Sequence, residues 1–259
     1  MIKHIESFEM AIPGHISPFR PWIKKIIILA IFMLAGGLLY AQPSGRDVAS
    51  RVDPIREKML RAHGGGKNLN RLSTFEYSVL ETNYISAPPA TSRTNYFLDL
   101  KKRQLTATST TEGITIVKTI NGSDAWQEID GIRMTLPEEE REKLERAYFL
   151  NFLTLLRNDD SVFEFKRNCQ YKGSTANVLL VSNPLNPAQQ ASLFVSDQTG
   201  RVLALSWHEA RELNQMLHYT DFLEYQPIGQ GIIFPVKYQV YTNGDVTAEG
   251  RVVDIKVRK

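Results

Sequence analysis

Cysteine is nearly absent from this chain: Cys169 is the only one in 259 residues. A lone cysteine excludes an intrachain disulfide. Nothing beside it marks a thiolate nucleophile, so it reads as a small strand residue. Charge of one sign is also lacking. Of 31 basic and 28 acidic side chains, four and two fall within residues 1–41, which leaves the remainder at a net +1. No basic block marks a nucleic-acid surface. Long apolar runs are confined to residues 26–40 (IIILAIFMLAGGLLY), short of the roughly 20 residues that a membrane-spanning helix needs.

Catalytic motifs break off where they begin. Trp207-His208-Glu209-Ala210-Arg211-Glu212 opens like H-E-x-x-H, but Glu212 stands where a second histidine would share the metal. His63-Gly64-Gly65-Gly66 has the glycines of an oxyanion loop, with no G-x-S-x-G serine to serve it. Gly66-Lys67 lacks the spacing of a phosphate loop. Glu138, Glu139, Glu140 and Glu142 alternate with Arg141 and Lys143, which describes a solvated helix face. No metal or cofactor site and no enzymatic activity are expected.

What is present begins with a leader. Lys24-Lys25, the apolar run and Ala41-Gln42-Pro43 have the order of a secretory signal peptide, with cleavage expected between Ala41 and Gln42. The alternative is an uncleaved N-terminal anchor, and Met10 is an alternative start. No cysteine follows the run, so no lipid anchor of the bacterial lipoprotein kind is expected. Residues 1–41 are set apart, and 42–259 are expected to form a single domain.

That domain starts with a helix over residues 47–63, apolar at Val48, Val52, Ile55, Met59 and Leu60, and ended by Gly64-Gly65-Gly66. From Leu69 onward the apolar period falls to two. Short runs separated by Asn121-Gly122, Asp130-Gly131, Lys172-Gly173, Thr199-Gly200 and Asn243-Gly244 describe hairpins with no crossover helices. The expected fold is mainly β: a strongly curved antiparallel half-barrel of about eleven strands, with helices covering its concave face.

Residues 113–157 organise the chain. Three short strands lead to Pro137 and a helix expected over 138–157, with Thr135-Leu136-Pro137-Glu138 as a capping box. The helix is charged over 138–143 and apolar on every side over 147–156 (AYFLNFLTLL). A soluble helix ordinarily needs one apolar stripe, so this one needs apolar partners on several sides. Two readings follow: a well-filled barrel core, or a concave face left partly open with the helix as its lid. Under the second, Tyr96, Trp126, Phe149, Phe152, Leu153 and Leu156 are the candidate lipid-binding residues.

The order of small motifs resembles a known family. It runs from His63-Gly64-Gly65 through Leu69-x-x-Leu72 and Asn121-Gly122-Ser123-Asp124-Ala125-Trp126 to the apolar helix. It continues with the run from Leu193 to Gly200, Tyr219-Thr220-Asp221-Phe222 and Gly231-Ile232-Ile233-Phe234-Pro235. Val253-Asp254-Ile255-Lys256-Val257 ends it. This resembles the outer-membrane lipoprotein-sorting proteins of the LolA/LolB/LppX superfamily, over nearly all of residues 47–257. The resemblance implies a half-barrel that carries the acyl chains of a lipid or acylated lipoprotein through the periplasm. It also implies transient contact with a membrane or with envelope transport proteins. The matched residues are turns and scaffold, so none is carried over as a ligand contact.

Overall fold

The computed structural model describes residues 45–157, 162–183, 185–211 and 214–259. The expected leader and its cleavage point lie outside them. Among the described residues no helix is long and apolar enough to cross a membrane. Two helices come first, α1 (Gly45–Ala62) and α2 (Gly66–Arg71). Six strands follow: β1 (Thr74–Asn83), β2 (Ala90–Asp99), β3 (Gln104–Thr111), β4 (Ile114–Asn121), β5 (Asp124–Ile129) and β6 (Ile132–Thr135). Helices α3 (Glu138–Phe149) and α4 (Phe152–Arg157) interrupt the meander. It resumes with β7 (Val162–Tyr171), β8 (Ser174–Asn183), β9 (Asn186–Ser196) and β10 (Val202–Arg211), and closes with β11 (Asn214–Pro227), β12 (Ile233–Thr242) and β13 (Asp245–Arg258).

All thirteen strands form one antiparallel sheet in the order β6-β5-β4-β3-β2-β1-β13-β12-β11-β10-β9-β8-β7. The count exceeds the expected eleven and includes the four-residue β6. Pairing of β1 with β13 joins two meanders at the middle, and the edges β6 and β7 stay unpaired with each other. The sheet is therefore open. Its two meanders differ. The pairings from β1 out to β6 keep register throughout. Bulges interrupt β1·β13, β13·β12, β12·β11, β10·β9, β9·β8 and β8·β7. Each bulge adds local bend and twist, so the second meander carries the irregular curvature.

This topology dictates the role of residues 136–157. The chain must travel from one edge of a thirteen-stranded sheet to the other, and α3 and α4 make that crossing. Phe152, Leu153, Thr154, Leu155 and Leu156 of α4 are all buried. A segment laid over a sheet and flanked by α2 and α3 has no free side, which is why it is apolar all round. The expected continuous helix is broken at Leu150-Asn151. Asn151 Oδ1 accepts the Leu153 N–H at 3.1 Å, so its side chain caps α4 and starts a new helix. The expected capping box does not form. Thr135 is the last residue of β6, and Pro137 takes the N-cap position with no side-chain bond. Proline's fixed φ and missing N–H suit a helix start without that help.

One continuous core runs from Met59 of α1 through Leu69 and Leu72 to the inner residues of nearly every strand. Its keystone is His63. The Val202 N–H can only donate, so Nε2 is the unprotonated acceptor at 3.2 Å, and Nδ1–H donates to the Ile233 carbonyl at 3.0 Å. Gly64 follows at φ +106°. A Cβ there would lie 2.5 Å from the Gly231 carbonyl oxygen, so only glycine lets α1 end against the β11–β12 loop.

Candidate functional site

Under the α3–α4 crossing lies a cavity of about 210 Å³ that opens to solvent. Its floor spans the middle of the sheet: Leu105 on β3, Tyr96 on β2, Tyr77 and Val79 on β1, Val252 on β13, Phe234 and Tyr238 on β12, Phe222 on β11, and Leu205 and Trp207 on β10. Ala147, Leu150, Asn151 and Phe152 form the roof. Phe152 is the plug. Its ring meets His63 edge-on at 4.9 Å, Phe222 at 5.4 Å and Phe234 at 5.6 Å. Asn151 Nδ2 donates to the Tyr77 hydroxyl at 3.0 Å, a polar bond from roof to floor. Burial pushes the Tyr77 phenol far above its ordinary range, with the Tyr96 side chain adding to the effect. The hydroxyl therefore stays protonated.

A larger space of about 760 Å³ lies on the other flank of the crossing. Its walls include Arg103, Arg141, Glu145, Tyr148, Phe149 and Arg157, with Asn183 at the end of β8 and Leu185 of the β8–β9 turn. Arg141 pairs with Glu145 at 2.9 Å across this wall. This space is bigger but bordered by charge, whereas the small cavity is the apolar one. The Leu150-Asn151 break sits between them, with Phe149 on one side and Phe152 on the other.

The six residues singled out from sequence divide. Tyr96 and Phe152 meet in the apolar cavity and Phe149 faces the larger space. Leu153 and Leu156 line neither and are packed in the core, at 0% and 2% exposure. Trp126 lies apart on β5 in a surface groove, with the Arg133 guanidinium 3.9 Å from its ring centroid. Sequence reasoning did not single out Tyr77, Trp207, Phe222 or Tyr238 for the site. Inward alternation along β1 was the available signal for Tyr77. The β11 bulge beside Phe222 hid the same signal there.

The remaining polar groups hold structure together. His63 is buried and drops to a pKa of about 4, because burial disfavours the imidazolium and Arg201 repels it, against the Ile233 bond. Both ring nitrogens serve the backbone, so neither is free to act as a base. His208 and Glu209 lie on strand β10, not on a helix. Among the described residues no group of histidine, cysteine or carboxylate side chains is placed to hold a metal. The acidic start of α3 is an ion-pair ladder: Lys118 to Glu140 at 2.5 Å, Lys143 to Glu139 and to Glu140 at 2.9 Å. Hydrogen bonds from Lys118 and Lys143 hold the Glu140 carboxyl below its usual range.

No protein-family model matches the sequence, and no curated protein does. Solved structures do match the fold. A LolA superfamily protein from Nitrosomonas europaea aligns with a TM-score of 0.54 at 14% identity, over 79% of this chain and 94% of its own. A DUF1329 family protein from Desulfovibrio piger aligns with a TM-score of 0.54 at 8% identity, over 79% and 92%. A protein domain from Vibrio parahaemolyticus, described as outer membrane lipoprotein-sorting, aligns with a TM-score of 0.52 at 10% identity, over 80% and 92%. This chain is thus similar in fold to the outer-membrane lipoprotein-sorting superfamily that its motif order resembles.

Proposed function

We propose that this protein is a periplasmic carrier that holds the acyl chains of a lipid or lipoprotein under the α3–α4 crossing and moves them towards the outer membrane. One observation carries the reading. An open, curved sheet is bridged by an apolar crossing that leaves an apolar cavity at the centre of the floor. The likeness in fold to lipoprotein-sorting structures supports it, as does the signal-peptide pattern of residues 24–43.

The mechanism is physical. Burying one methylene is worth about 0.8 kcal/mol, so a single long chain amply repays a dedicated site. At about 210 Å³ the cavity only modestly exceeds the 150 Å³ that accommodates benzene. A long chain therefore needs the crossing to lift. Phe152 then leaves the space between Phe222 and Phe234, and hydrocarbon replaces its ring. Lifting at the Leu150-Asn151 break joins the small cavity to the larger one beyond Phe149. A membrane or partner protein that binds the lifted state better would favour loading and release.

Native mass spectrometry of the purified protein before and after lipid extraction, followed by re-addition of diacyl lipid, tests this. Bound or rebound lipid is expected, and repeated absence of both would overturn the proposal. The second reading is an envelope binding or assembly module with a filled core, and the buried Leu153 and Leu156 favour it. That module would bind no lipid under any of these conditions.

A further inference from the structure

The cavity floor carries a polar feature that an acyl chain alone does not need. Glu81 on β1 pairs with Gly250 on β13, and Gly250 pairs with Tyr238 on β12, so the three stand in one row. A Cβ on Gly250 would lie 2.1 Å from Tyr238 Cζ and 2.4 Å from its hydroxyl oxygen. Gly250 is not among the residues with positive φ, so backbone conformation does not demand glycine there. The demand comes from the ring, which lies across β13. Its O–H thereby reaches Glu81 and donates to Oε2 at 2.9 Å.

Tyr96 stands nearby, its ring stacked on Tyr77 at 5.1 Å. Burial first, and the Glu81 charge second, push the Tyr96 and Tyr238 phenols up and keep them protonated. Among the described residues no lysine or arginine pairs with Glu81, and its Oε1 accepts no hydrogen bond. A half-buried carboxylate with one open oxygen thus stands just behind the cavity wall, hydrogen-bonded to Tyr238, which lines the cavity together with Tyr96. The Tyr238 proton is already committed to Glu81, so it is not available to an anionic guest. This arrangement suits a positive charge, through a charge-assisted hydrogen bond to the carboxylate and through the phenol faces.

We propose that the Glu81–Tyr238–Tyr96 corner binds the cationic head of the cargo, making the carrier selective for alkylammonium or amino-headed lipids over anionic ones. The inference rests on the carrier reading and adds the head-group class to it.

The test is displacement of the neutral probe N-phenyl-1-naphthylamine from the purified protein at pH 7 by decylammonium, decanoate and decanol, all below their micellar concentrations. Decylammonium should compete about tenfold better than decanoate, the effect of one charge-assisted hydrogen bond. Glu81→Gln, which keeps an acceptor for Tyr238, should bring that ratio close to one and leave decanol unchanged. Decanoate competing as well as decylammonium, or a preference that survives Glu81→Gln, overturns the head-group assignment while decanol binding leaves the carrier reading standing. If the probe does not bind, or none of the three displaces it, both fall together.

Discussion

His63 shows how one side chain sets a condition on the whole fold. In an unfolded chain its pKa is near 6.5, and in this site it is about 4. Above pH 6.5 both states hold a neutral ring and the native contacts are at full strength. As the pH falls from 6.5 towards 4, the unfolded state takes up a proton that the native state refuses, and stability is lost. A shift of this size corresponds to about 3 kcal/mol over that window. Thermal unfolding should therefore be insensitive to His63 from pH 7 to 8 and decline towards pH 4. His63→Gln should be less stable at pH 7 and show a flatter decline, and equal slopes for both proteins would contradict this. Phe152 sets a different condition. Phe152→Ala should cost about 3–5 kcal/mol, the range for a buried aromatic truncated in a core. In a carrier, added lipid fills the vacated space and recovers part of the melting temperature. A filled-core module gains nothing from lipid.

At the scale of elements, the break between α3 and α4 matters most. Asn151 caps α4 through Oδ1 and ties the roof to Tyr77 through Nδ2. Asn151→Ala removes both bonds and should cost about 1–2 kcal/mol. If the crossing lifts to admit cargo, stopped-flow mixing with lipid should show faster uptake in this variant. Unchanged uptake would mean that the latch does not gate entry. This element also shows what was legible beforehand. The apolar excess over residues 147–156 announced a segment buried on every side, because composition reports burial directly. The break was illegible, since an asparagine inside an apolar run looks like a tolerated polar residue until the chain direction changes. The turns after β4, β5, β7 and β12 were legible through their Asn-Gly, Asp-Gly or Lys-Gly pairs, whereas the β2–β3 connection at Leu100–Arg103 carries no glycine. The site itself was only half legible. Tyr96 and Phe152 belong to it, but Trp126 is equally large and apolar and lies on another face. Size and apolarity do not encode which face of a strand looks inward: β5 keeps its register, and it is the neighbouring Ala125 that packs against the core.

At the scale of the molecule, local stability should be unequally distributed. The central strands β1, β13 and β12 are paired on both sides and their inner residues belong to the core. The crossing is held by side-chain packing, the Asn151–Tyr77 bond and the surface ladder from Lys118 to Glu140. Ladder pairs this exposed contribute little each. Amide hydrogen exchange should accordingly find the amides of α3 and α4 opening at lower free energy than those of β1 and β13, as expected of an element that moves to bind. Lipid should slow exchange in residues 138–157 and at the floor strands that face them, and leave the convex side unchanged. A crossing that exchanges as slowly as the central strands, with or without lipid, would describe a fixed plug. Hydrocarbon then could not displace Phe152, and the cavity would be a packing defect, not a binding site.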